Sequence, residues 1–162
     1  MQVESSHIDA PSLGTNLTAD DLTPENHAAA IRGEGSMLAH PTQIKEAVTD
    51  MIGECQKHNS SGSLLLVHFS NLAMIINAYG HDMSEQVIRD ITGRIQFMLS
   101  PKDRVFRAQR DQLMIALANA YPDDSESLAS RIMNIVQNYG RDAYLSSALH
   151  VMAHISLSLI HI

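Results

Sequence analysis

The chain has 162 residues and a formal charge of −7, with 44% hydrophobic and 18% charged residues, so it can bury one real core and carry an appendage. Its few Lys and Arg form no cluster, which argues against a nucleic-acid surface. One cysteine, Cys55, excludes an internal disulfide; the N-terminus lacks a signal-peptide pattern, and the apolar runs are too short to span a bilayer. The expectation from these features is a cytoplasmic protein.

Residues 1–36 are rich in Ser, Thr, Asp, Gly and Pro and read as a flexible tail or linker. Within it, Thr23-Pro24 is placed to open a short helix over 25–31. From Pro41, Ile44, Val48, Met51 and Ile52 recur at helical spacing, with Gly53 near the expected end. Asn59 to Gly62 is a turn cluster, and Leu64 to Val67 has the length and bounds of a buried strand.

Leu72, Ile75, Ile76 and Tyr79 predict a helix that stops at Gly80. A second helix follows, with Ser84 as N-cap and Val87, Ile88, Ile91, Ile95 and Met98 on one face, closed by Ser100-Pro101. Two short extended segments, 104–110 and 113–117, lie close enough to form a hairpin. Asp123 and Asp124 favour a helix start, Leu128, Ile132, Ile135, Val136 and Tyr139 supply its apolar stripe, and Gly140 is the expected stop. Alternation over 150–162 predicts a last strand.

The predicted class is α+β: a ferredoxin-like βαββαβ order with an antiparallel sheet flanked by helices, plus an N-terminal helix. That order alone implies no activity.

Local strings carry more. Leu64 to Leu72 resembles the first strand of diguanylate cyclase (GGDEF) domains, where apolar residues precede Asp-x-Asp-x-Phe-Lys. Ile75-Ile76-Asn77-Ala78-Tyr79-Gly80-His81 is similar to the family's Ile-Asn-Asp-x-Tyr-Gly-His, and the last three residues are its most specific piece. Asp103 to Arg107 resembles the Asp-x-x-x-Arg that leads into the signature hairpin. The signature Gly-Gly-Asp-Glu-Phe then falls on Gln109, Arg110, Asp111, Gln112 and Leu113, and Ile155 to Leu159 looks like the Val-Ser-Ile-Gly strand. The resemblance covers 37–162; the family's last helix and strand are absent from it.

Family catalysis joins two GTP molecules around magnesium held by carboxylates of the first strand and the hairpin. The resemblance places His68 at the strand position and Gln112 at the signature Glu. An imidazole and an amide are poor partners for an ion that demands hard anionic oxygen. Gln109 and Arg110 put side chains where two glycines let backbone approach phosphates. Ile76 replaces a guanine-contacting Asn and Ala73 a Lys, leaving Asn71, Glu85 and Asp111 as remnants of nucleotide binding. The product-inhibition Arg-x-x-Asp reads Ser100-Pro101-Lys102-Asp103, without its Arg.

The resemblance therefore implies a degenerate GGDEF domain over 37–162, catalytically inactive, with magnesium and GTP binding lost or weak and no metal. Its implied role is regulatory: a partner EAL phosphodiesterase domain in the same protein, or another signalling protein, and a homodimer as an allowed assembly. Neither nucleic acid nor a membrane segment is implied for this chain. The alternatives are an allosteric GTP sensor, a divergent cyclase and an unrelated interaction domain.

Nine histidines are present, but no metal-ligand spacing joins them; His150 and His154 are expected on one strand face, with His161 near the end. His68 and His81 read as loop-edge and turn residues, Arg107 and Arg110 as exposed hairpin cations, and Cys55 as an inert helix residue. The nine methionines read as core filler.

Overall fold

The computed structural model describes residues 38–142 and 149–160. The expected tail over 1–36, its short helix and His161 lie outside the described residues.

Among the described residues, four helices and four strands follow in chain order: α1 (Pro41–His58), β1 (Gly62–Phe69), α2 (Leu72–Tyr79), α3 (His81–Met98), β2 (Arg104–Gln109), β3 (Gln112–Leu117), α4 (Pro122–Asp142) and β4 (Ala153–Ile160). The strands form one antiparallel sheet in the order β2-β3-β1-β4, with β1 at its centre. This is the expected α+β, ferredoxin-like order.

Alternation along β1 decides the layering. Leu65, Val67 and Phe69 join Leu113, Ile115 and Leu117 of β3 on one face. There they meet Ile75 of α2, Val87, Ile88, Ile91 and Ile95 of α3, and Ile132, Val136 and Tyr139 of α4. The opposite face is covered at one end by α1, whose buried Met51 and Cys55 pack on Ala116. Helices therefore lie on both faces of the sheet.

Local signals explain most boundaries. His40 caps α1 in a reciprocal box with Gln43, and Pro41 occupies the first turn, where its missing N–H costs nothing. The helix runs past Gly53 to His58 and ends where Asn59 turns left-handed at φ 49°. A glycine on a partly exposed helical turn weakens the helix without ending it. Ser84 is likewise not an N-cap: α3 begins at His81, and the buried Ser84 Oγ donates to the His81 carbonyl at 2.7 Å. The break between α2 and α3 is Gly80, at φ 88°, a conformation that side chains strongly disfavour.

Gly140 does not stop α4, which continues to Asp142. It serves close packing instead, because a Cβ there would lie 2.1 Å from the Leu149 carbonyl oxygen. The last strand is shorter than its sequence pattern, so His150 precedes β4 and does not share a face with His154.

Buried polar groups are paired. Ser63 and Ser125 hydroxyls meet at 2.6 Å between β1 and α4, and no buried side-chain polar atom lacks a partner among the described residues. The Tyr139 hydroxyl donates to Asp90 at 2.7 Å, and burial together with that carboxylate raises the phenol pKa.

A surface clip ties α1 to the turn before β2. Glu54 accepts from Lys102 at 2.7 Å and from Lys57 at 3.0 Å, and these ammonium groups lower its pKa to about 2. A depressed carboxylate contributes fully above its unfolded value of 4.5 and loses that contribution as pH falls toward 2. We expect hydrogen exchange in α1 to accelerate across that window by more in wild type than in Glu54→Gln; equal profiles would exclude the clip.

Candidate functional site

The hairpin between β2 and β3 gathers the signature positions at one end of the sheet. Gln109 pairs with Gln112 across a turn made of Arg110 and Asp111, and a register shift between Arg107 and Gln109 marks a bulge. Leu113, the last signature position, is fully buried in the core. Strand β1 ends alongside: His68 is in register with Gln112 on one side and with His154 of β4 on the other.

The structure brings His68 and Asp111 together. The imidazole Nε2 lies 3.1 Å from Asp111 Oδ2, with both side chains about two-fifths exposed. The Phe69 amide donates to the Asp111 carbonyl at 2.8 Å, so the hairpin turn is tied to β1 through backbone and side chain together. Gln112 is half-buried beside them. Among the described residues no three His, Cys, Asp or Glu side chains converge as a metal site.

Arg107 departs from its expected exposure. Its side chain is only 3% accessible and makes a two-pronged ion pair with Glu85 of α3, Nη2 to Oε1 at 2.8 Å and Nη1 to Oε2. Nε and Nη2 also donate to the Arg110 carbonyl at 3.2 and 2.8 Å. One guanidinium thus fastens the signature turn to a helix, using the planar fork that lysine lacks. The hydrogen bonds from Arg107 hold the Glu85 carboxyl below its ordinary range despite the opposing effect of burial, with weaker help from the charges of Arg107, Arg110 and Arg89.

Arg107 was legible in principle. Residues alternate along β2, and Val105 points into the core, so Arg107 shares its face.

Asn71, Ser100 and Asp103 are likewise engaged within the fold. Asn71 is buried; its Nδ2 donates to the His150 carbonyl at 2.7 Å and its Oδ1 accepts from the Met152 amide at 2.9 Å. This side chain anchors the approach to β4, a job that no local sequence signal announces. Asp103 Oδ2 accepts from the Ser100 amide and hydroxyl at 2.9 and 2.7 Å, while Oδ1 accepts from the Ala118 amide at 3.1 Å. Ser100 and Asp103 therefore build a turn at the end of the sheet where β2 begins, far along the strand from Asp111. Ile76 is half-buried against the core, whereas Ala73 and His81 are exposed. Cys55 is fully buried.

No described helix is long and apolar enough to cross a membrane.

A family model described as the GGDEF domain of diguanylate cyclase matches residues 37–161. Among curated proteins, the cyclic di-GMP phosphodiesterase PdeR of Escherichia coli (strain K12) is 23% identical over 122 residues, which are 74% of this chain and 18% of that protein. The chain thus spans less than a fifth of that relative's length. The solved GGDEF domain of TpbB (YfiN) from Pseudomonas aeruginosa matches with TM-score 0.65 at 20% identity, covering 78% of this chain and 73% of that one. Diguanylate cyclase SiaD, solved with its activator SiaC from Pseudomonas aeruginosa, matches with TM-score 0.66 at 17% identity, over 86% of this chain and 53% of that one. These two likenesses are of fold. On the family match, which covers most of its length, the chain belongs to the GGDEF domain family.

Proposed function

We propose that this is a catalytically inactive GGDEF domain that serves cyclic di-GMP signalling in the cytoplasm as a regulatory and dimerisation module, controlling an attached EAL phosphodiesterase domain. The observation that carries the reading is the His68–Asp111 contact. The one carboxylate left at the hairpin is already held by an imidazole, at the position where the family resemblance calls for a second carboxylate.

This donor set does not suit magnesium. That ion takes octahedral oxygen ligands and sheds water reluctantly, and around it would stand one carboxylate, a nitrogen base and the neutral Gln112 amide. The side chains of Gln109 and Arg110 flank the same turn, so phosphate loses the close backbone approach that glycine allows. Glu85 is neutralised by Arg107, and Asn71 is spent on backbone groups, so neither is left to read a base. What remains is a hairpin pinned from both sides. Its surface suits contact with another domain better than phosphoryl transfer.

The attached phosphodiesterase is supported by the relative PdeR, whose name states that activity and of which this chain matches only a part. Calorimetric titration of the chain with GTP and magnesium tests the reading. We expect no heat of binding up to about 1 mM nucleotide, the weak end of measurable affinity. Micromolar binding would instead favour an allosteric GTP sensor, and cyclic di-GMP formed from labelled GTP would restore a cyclase.

Reverting His68→Asp and Gln112→Glu together is expected to leave activity absent, because Gln109 and Arg110 still crowd the turn.

A further inference from the structure

The outward stripe of α3 is made of Asp82, Gln86, Arg89, Gly93 and Phe97, all exposed and opposite the side that packs into the core. Phe97 is 94% accessible, more than any other large hydrophobic residue among those described. One turn before it, Gly93 sits in the helix with nothing within 4 Å of where a Cβ would be. Neither residue serves the fold: a mid-helix glycine weakens the helix by about 1 kcal/mol, and an exposed phenyl ring gains nothing from burial.

We propose that this stripe is a homodimer contact, in which α3 crosses α3 of a second copy antiparallel at Gly93. It gives a specific surface to the dimerisation part of the function proposed above and does not depend on the loss of catalysis. A two-fold axis through Gly93 brings two side-chain-free turns together, so the backbones approach closely. The same axis sets Phe97 of one copy opposite Arg89 of the other, twice, giving two cation–π contacts from residues that are four positions either side of the crossing.

Charge favours the antiparallel sense. Arg89 is the cation that the stripe offers to the partner, and Asp82 is its acidic residue. Antiparallel crossing places the two Asp82 side chains at opposite ends, about 33 Å apart along the axis, whereas a parallel pairing would stack them. The helix dipoles also oppose each other favourably. A single helix pair buries less than the roughly 1,200–2,000 Å² of a standard interface, so the dimer is expected to be weak, with a Kd of about 10–100 µM.

Sedimentation velocity on the full 162-residue chain up to about 500 µM tests this, well above the expected Kd. Wild type should dimerise with rising concentration, and Phe97→Glu should weaken that at least about ten-fold while keeping the wild-type circular dichroism. Mild oxidation supplies a second readout, since Cys55 is buried and does not compete. Gly93→Cys should form a disulfide-linked dimer readily. Phe97→Cys should cross-link at least about ten-fold more slowly, because its two copies would stand about 12 Å apart along the axis, beyond disulfide reach.

A dimer that survives Phe97→Glu, or equal cross-linking at both positions, overturns this surface while leaving dimerisation itself intact. A chain that stays monomeric throughout overturns both, and would leave Phe97 to a different protein.

Discussion

Arg107→Ala should destabilise the domain by about 3 kcal/mol, lowering the melting temperature by roughly 6–12 °C for a chain of this size. The guanidinium is almost wholly buried, and four of its hydrogen bonds join three pieces of chain: β2, the Arg110 turn and Glu85 on α3. Removing it strands a partly buried carboxylate and a turn carbonyl together. The cost lies at the lower end for broken buried pairs because the Glu85 side chain is 36% exposed and regains some water.

Arg107→Lys should recover less than half of the loss, since one ammonium cannot reach Glu85 and the Arg110 carbonyl in the same geometry. Chemical denaturation of the three proteins measures this directly. A cost below about 1 kcal/mol for alanine would mean that the clamp is incidental to stability.

Acid adds an independent check on the same contact. Glu85 has a folded pKa below 4.5, so its ion pair contributes fully above that pH and fades as pH falls through the depressed value. The difference between wild type and Arg107→Ala should therefore narrow on acidification. A gap that stays constant down to low pH would locate the effect in packing and in the Arg110 carbonyl.

Gly140→Ala is the second large effect, at about 2 kcal/mol of destabilisation or more. The new methyl would stand 2.1 Å from the Leu149 carbonyl oxygen and 3.2 Å from its carbon, and backbone cannot rotate away as a side chain can. Leu149 is itself buried in the core, next in line before Asn71's contacts with residues 150 and 152. Alanine's better helix propensity returns only about 1 kcal/mol, so the steric cost prevails. Gly53→Ala in α1 is the matched control: nothing lies within 4 Å of its Cβ position, and it should gain about 0.5–1 kcal/mol. If both substitutions stabilise, the close approach at Leu149 is wrong.

The hairpin turn is held by His68 of β1 on one side and by Arg107 on the other, and Arg107 in turn holds Glu85 of α3. A dimer formed through α3 would act on that same helix.

Order and type of every described element were determined by the sequence alone. The continuous apolar run in β1 and the helical periodicity in α3 and α4 reflect burial, and burial leaves its mark residue by residue. Glycine at Gly80 announced its break because few other residues tolerate a positive φ. The family strings were legible too, down to the substituted positions His68 and Gln112. What only the tertiary structure decided is how the polar side chains are used. Asn71 meets residues 150 and 152 across 79 and 81 positions of chain, His68 meets Asp111 across 43, and Arg107 meets Glu85 across 22. Hydrogen bonds are short-ranged and directional, so a polar residue's role depends on which distant segment folds back within 3 Å of it, and no local pattern encodes that.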